Sequence, residues 1–214
     1  MGRPRKYSLN QEYFDAINGN SAYVIGLIMA DGTIRNDRFS ISAKAGDSEF
    51  LSTIAESLGS NRPIQYVEHI HGNVARLVVN SSKMSARLAY YGIHSPRTWT
   101  ARTHADLFLN RHYWRGVIDG DGSLCNGKRG RNILRLVGSE SICSDFLIFC
   151  RMNDVGMFSS VCHHKTIYTV CLNGPQALAI AEILYGGADL YLPRKMRIVQ
   201  QWRDARCLAQ AVNQ

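Results

Sequence analysis

The chain contains the same pattern twice. Val24-Ile25-Gly26-Leu27-Ile28-Met29-Ala30-Asp31-Gly32 and Trp114-Arg115-Gly116-Val117-Ile118-Asp119-Gly120-Asp121-Gly122 both run apolar stretch, glycine, three residues, small residue, aspartate, glycine, and they lie 90 residues apart. Further echoes keep nearly the same offset. Phe39-Ser40-Ile41-Ser42 leading to Phe50-Leu51 matches Leu134-Arg135-Leu136-Val137 leading to Phe146-Leu147. Tyr91-Gly92 matches Tyr185-Gly186, and Ser95-Pro96-Arg97-Thr98 matches Leu192-Pro193-Arg194-Lys195. A fixed offset marks a duplicated unit, here of ~95 residues. The 214 residues therefore divide into two copies of one small fold. The expected division is a basic arm over 1–19, a first repeat over 20–98, a linker over 99–108, and a second repeat with a terminal helix over 109–210.

Hydrophobic periodicity predicts the same elements in each copy. Asn20 to Asp31 is apolar and helical, and the glycine behind the aspartate ends it. Arg38 to Lys44 alternates, with Phe39, Ile41 and Ala43 on one face and Arg38, Ser40, Ser42 and Lys44 on the other, as in a half-buried strand. A helix over Ser48–Leu58, strands over Ile64–His71 and Val74–Asn80 around His71-Gly72-Asn73, and a helix over Ser82–Tyr91 follow. The second copy reads as the motif helix, strands near Ser123 and over Asn132–Val137, a helix over Ser141–Asn153, a hairpin across Ser159–Leu172, a helix over Pro175–Tyr185 and a final helix from Pro193 to Ala209. Each copy is thus α-β-β-α-β-β-α, an α+β unit with an antiparallel sheet.

Composition narrows the class. Lys plus Arg outnumber Asp plus Glu by 25 to 17, for a net charge of +8 and a pI near 9.3, a balance that points to a polyanionic partner. No apolar run reaches the ~18 residues of a membrane span, and MGRPRKYSLNQEYFDAI lacks the apolar core of a secretory signal. The expected location is cytoplasmic, organellar or phage-encoded, with no membrane partner. The six cysteines, at 125, 143, 150, 162, 171 and 207, form no C-x-x-C pair and read as reduced, buried small hydrophobes. Cys162-His163-His164 could ligate a metal, but in an alternating strand it reads as structural.

Gly26 and Ala30, like Gly116 and Gly120, are four apart and form a small-residue ridge on a helix, which lets two helix backbones approach closely. Each motif helix then ends in an acid, Asp31 or Asp121, at the negative end of the helix dipole. Packing the two helices side by side brings these carboxylates together, and like charges repel. A cation resolves both penalties, and oxygen-only ligands favour Mg²⁺ over zinc. The alternative is that Asp31-Gly32 and Asp121-Gly122 are Asp-Gly turns.

The doubled motif resembles that of the LAGLIDADG homing endonucleases, and the repeated α-β-β-α-β-β-α order extends the resemblance from about Tyr23 to Trp202. The first motif departs from the pattern at Met29, where an acid is common. Two motifs in one chain look like the monomeric, pseudo-symmetric branch. The resemblance implies cleavage of both strands of a long double-stranded DNA target, leaving short 3′ overhangs. It implies Mg²⁺ (or Mn²⁺) held by Asp31 and Asp121 with the carbonyls of Ala30 and Gly120, and basic residues around the attacking water. Matching of the P-R-T and P-R-K segments nominates Arg97 and Lys195, and Lys44 at the end of the first polar strand face is a third candidate.

The resemblance also implies that the sheets lie as a saddle in adjacent major grooves. The polar rows fit this use: Arg35, Arg38, Ser40, Ser42 and Lys44; Arg76 with Asn80; Arg131 with Arg135. Arginine and asparagine pair bidentately with guanine and adenine edges. Lys128-Arg129-Gly130-Arg131 reads as a basic loop suited to phosphates. Gly2-Arg3-Pro4-Arg5-Lys6 is either a minor-groove arm or a plain basic tail. A LAGLIDADG protein that no longer cuts, acting as an RNA maturase or a DNA-binding regulator, is the alternative, and loss of a motif acid would favour it. The absence of a splice nucleophile at Met1 and of a closing His-Asn favours a free-standing or intron-encoded protein over an intein.

Overall fold

The computed structural model describes residues 5–35, 37–68, 72–94 and 101–212. The first half runs α1 (Gly19–Asp31), β1 (Gly32–Arg35), β2 (Arg38–Lys44), α2 (Ser48–Ser57), β3 (Gln65–Val67), β4 (Val74–Asn80) and α3 (Ser82–Tyr90). The second runs α4 (Arg111–Asp121), β5 (Gly122–Asn126), β6 (Asn132–Gly138), α5 (Glu140–Arg151), β7 (Val161–His164), β8 (Ile167–Asn173), α6 (Pro175–Tyr185) and α7 (Pro193–Val212). Each half builds one antiparallel sheet, in the orders β1-β2-β4-β3 and β5-β6-β8-β7. The duplication read from the sequence is thus a duplication of topology.

Both motif helices start on an asparagine cap. Asn18 accepts from the amides of Asn20 and Ser21 while Ser21 Oγ accepts from Asn18 N–H, and Asn110 accepts from His112 and Tyr113. These bonds satisfy amides that a helix start leaves open. α1 is buried from Ser21 to Met29 and α4 from Tyr113 to Asp119, so the two helices form the centre of the molecule. Phe39, Ile41, Leu77 and Val79 face them from the first sheet, and Leu134, Leu136, Val170 and Leu172 from the second, in one continuous core. α2 and α3 pack on the first sheet, and α5 and α6 on the second.

Gly32 and Gly122 end the motif helices without positive φ: both are extended, at φ −78° and −83°. Their amides donate to Ile28 O and Ile118 O. A Cβ on Gly32 would stand 2.5 Å from Ile28 Cγ2, and one on Gly122 2.5 Å from Ile118 O. Glycine is required because the strand leaves the helix against its own last turn. β1 has four residues that alternate between buried Gly32 and Ile34 and exposed Thr33 and Arg35, but with Ile34 as the one large apolar side chain the sequence pattern is slight. β3 covers Gln65–Val67 of the strand expected over Ile64–His71, pairing with Val74–Arg76 of β4; residues 69–71 lie outside the described residues. Of the expected linker, 101–108 is described and holds a single 3-10 turn at Ala105–Leu107.

Candidate functional site

The motif helices meet on bare backbone. A Cβ added to Gly26 would lie 2.1 Å from Tyr113 O, and one added to Gly116 would lie 2.1 Å from Tyr23 O. Near the helix ends, a Cβ on Gly120 would lie 2.3 Å from Ala30 Cβ and 3.4 Å from Asp31 Oδ2. The first motif's carboxylate thus lies against the second motif's Gly120, next to Asp121. Both acids are exposed, at the same end of the helix pair. Asp31 lines a cleft of about 640 Å³ together with Lys44, Asp47 and Arg194, and Arg194 Nε bonds Asp47 Oδ2 at 3.2 Å across the two halves.

Beneath this end lies Lys195. It is buried, and its ammonium donates to the carbonyls of Ile118, Asp119 (2.8 Å) and Gly122 (2.7 Å). An ammonium has three hydrogens, and all are committed to the C-terminal carbonyls of α4, where a cation is favoured. Burial pushes Lys195 down to about 8, with Arg194 adding to the shift. The charges of Asp119, Asp31 and Asp121 act against it. One ammonium therefore stands in the field of both motif acids.

Lys195 is held in place by a buried polar cluster that the sequence reading did not assign. Asp119 accepts from Tyr23 OH (2.7 Å), Tyr185 OH (2.5 Å) and the Leu192 amide (2.7 Å). One turn earlier, Arg115 donates to Leu190 O (2.8 Å) and Leu184 O (2.9 Å), with its guanidinium over the Tyr23 ring at 4.9 Å. Together they fasten both ends of the segment between α6 and α7, and so set where α7 begins and where Lys195 sits. Burial raises the Asp119 carboxyl, and Lys195, the two phenols and the amide offset this only in part. The available signal was two charges, Arg115 and Asp119, inside an otherwise buried helix, where a charge persists only with partners.

The outer faces of the sheets follow the strand registers. On the first, Arg35 pairs with Arg38, Arg38 with Asn80, and Ser42 with Arg76, whose Nε donates to Ser42 Oγ at 3.2 Å. Arg35, Arg38, Ser40, Arg76 and Asn80 line one groove, joined by Arg62 and Gln65. On the second, Arg135 stands between Ser123 and Cys171. Arg131 and Lys128 are exposed at the β5–β6 turn.

A scan against models of protein families finds no match, and a search of curated proteins finds no significant relative. Solved structures do match. The LAGLIDADG meganuclease I-AabMI bound to uncleaved DNA aligns at TM-score 0.58 and 13% identity over 91% of this chain and 92% of that one. I-DmoI in complex with DNA and Ca aligns at 0.52 and 17%, over 86% and 97%. The N-terminal LAGLIDADG domain of DUF199/WhiA aligns at 0.52 and 14%, over 88% and 92%. This chain has the two-repeat LAGLIDADG fold. Within that fold Asp31, Asp121, Ala30 and Gly120 meet at one end of the seam, and Lys195 lies below them. Lys44 is exposed on the wall of the cleft.

Arg97, residues 1–4 of the basic arm and the side chain of Arg129 lie outside the described residues. Arg5 is described and donates to Asn80 O (2.7 Å) and Gln11 Oε1 (2.7 Å), so the arm starts against β4. The reading of the cysteines needs correction. None is in a disulfide, but only Cys143 and Cys150 are buried; Cys125, Cys162 and Cys207 are exposed and Cys171 is intermediate. The reason is parity. Cys125, Cys162 and Cys171 alternate with inward-facing Leu124, Val161, Val170 and Leu172, and so occupy the outer face. Among the described residues no cluster of three or more His, Cys, Asp or Glu forms a metal cage, and no helix is long and apolar enough to cross a membrane.

Proposed function

We propose that this protein is a LAGLIDADG homing endonuclease: a single chain with internal pseudo-twofold symmetry that cuts both strands of a long double-stranded DNA site using Mg²⁺ or Mn²⁺. The observation that carries the reading is the packing of Asp31 against Gly120, the residue before Asp121, at the seam between the two motif helices. The donor set fits a hard divalent ion: two exposed carboxylates and the carbonyls of Ala30 and Gly120 supply oxygen only and leave room for water and phosphate. Such an ion supplies polarisation of the phosphate and activation of a water when bound.

The chain's own groups do the rest. The seam glycines hold the two carboxylates at a separation that helices bearing side chains there could not reach. The committed hydrogens of Lys195 fix the α4 carbonyls behind Asp121, and its charge lowers the cost of two adjacent anions. Lys44, exposed in the cleft beside Asp31, is placed to neutralise charge developing on a phosphate. Arg35, Arg38, Ser40, Ser42, Arg76, Asn80 and Arg135 face base edges, while Lys128 and Arg131 take phosphates.

The test is selection of cleaved duplexes from a randomised library with and without Mg²⁺. Asp31→Asn and Asp121→Asn are each expected to abolish double-strand cleavage with the Kd for the selected site unchanged within about threefold. Full cleavage by either variant sinks the metal assignment. Tight binding with no cleavage by the native protein moves the assignment to a non-cutting maturase or regulator.

A further inference from the structure

We infer that the two sheets read DNA by different chemistry, one half of the target being specified by hydrogen bonds and the other largely by thymine methyl groups. The inference rests on the DNA-binding reading above and concerns how that surface selects its site.

The strands of the first sheet carry Arg35, Arg38, Lys44 and Arg76, every one on the outer face. Gln65 and Asn80 stand among them and Arg62 closes the groove. These are the side chains that pair with guanine and adenine edges. The strands of the second sheet carry one cation, Arg135. Its neighbours across the ladder set the rest of the face: Ser123 and Cys171 on either side of Arg135, Cys125 and Asn173 on either side of Ile133, Val137 opposite Thr169, itself opposite Cys162, and Ile167 opposite His164, so that three thiols and three aliphatic side chains stand among short polar ones. Thiols are weak donors and behave as small hydrophobes. The positive charge around the edges of this sheet stands in its turns, with Lys128 and Arg131 at β5–β6 and Lys165 at β7–β8. There it meets the backbone, which positions a duplex without reading it.

The thymine C5 methyl is the apolar feature of a base edge in the major groove. A face built from Cys125, Ile133, Val137 and Cys171 around one arginine matches thymines flanking a guanine contact. Ser123, Thr169 and Asn173 are shorter than the arginines of the first sheet, so this face offers fewer hydrogen bonds to base edges than the first sheet does. The pseudo-symmetric scaffold thus carries two unlike reading surfaces, and the target is correspondingly asymmetric.

The native full-length protein tests this on its selected duplex. Thymine is replaced by deoxyuridine one half-site at a time, which removes only the methyl. In the half against the second sheet, affinity is expected to fall about fourfold per contacted methyl; in the other half it should change by less than about twofold. Replacing guanine by 7-deazaguanine, which removes the N7 acceptor, should show the opposite bias. In parallel, N-ethylmaleimide is applied with and without the duplex, and adducts are mapped by mass spectrometry. Duplex should protect Cys125 and Cys171 and leave Cys207, on α7, as reactive as before. Equal deoxyuridine effects in the two halves, or unprotected Cys125 and Cys171 in a complex that forms, overturn the inference while the nuclease reading stands. Failure to bind any duplex overturns both.

Discussion

Asp119 shows how much one side chain can decide. It gathers Tyr23, Tyr185 and the Leu192 amide from positions 66 to 96 residues away in sequence. Asp119→Leu strands three buried donors, at about 1–3 kcal/mol each, against a total stability of about 5–15 kcal/mol for a typical domain. Urea unfolding should show a collapsed midpoint, with Asp119→Asn, which keeps one acceptor, in between. The thiols give a second residue-scale prediction. Burial pushes Cys143, with some help from the Asp121 charge, and Cys150 up to about 12. At pH 8 both stay protonated, and since the thiolate is the nucleophile, alkylation should label Cys125, Cys162 and Cys207 and spare these two. At this scale the sequence was partly legible. Asp31 and Asp121 stood out because they recur. The partners of Asp119 did not, because sequence spacing carries no record of which distant tyrosines reach one carboxylate, and the exposed cysteines were hidden until their inward neighbours were paired across the strands.

At the scale of elements, the contact between α1 and α4 is the joint on which the rest is hung. Gly26→Ala puts a methyl into the Tyr113 carbonyl, a backbone atom that cannot swing aside. Overpacking typically costs about 1–3 kcal/mol, and this position belongs at the upper end. For a chain of this size the melting temperature should drop by about 5–10 °C, by calorimetry, and Gly116→Ala should match it. Gly46→Ala, with nothing within 4 Å of the added methyl, should leave the melting temperature alone. Helices and strands were the most legible level, since each pattern appears twice and each copy supports the other. The exceptions are the short strands: β1 has four residues with Ile34 its one large apolar side chain, and β3 has three.

For the whole molecule, the repeat announces pseudo-symmetry, and the structure adds where the halves differ. Met29 occupies the position of Asp119 and Ile25 that of Arg115, so the charged members of the buried cluster, Arg115, Asp119 and Lys195, come from the second half, while Tyr23 reaches in from the first. The net charge of +8 and the cationic outer rows predict steep salt dependence of duplex binding. If about six or more phosphates are contacted, affinity should fall about 10³-fold or more between 50 and 200 mM salt, as read by fluorescence anisotropy. A flat dependence would remove the sheets as the binding face. The glycine seam has one more consequence. Because Gly26 accommodates Tyr113 O and Gly116 accommodates Tyr23 O, each half carries the notch for the other's backbone. Recombining one half with that of a foreign relative will therefore succeed only when both notches travel into the hybrid, so that inheritance at this joint is pairwise and neither side is free to drift by itself.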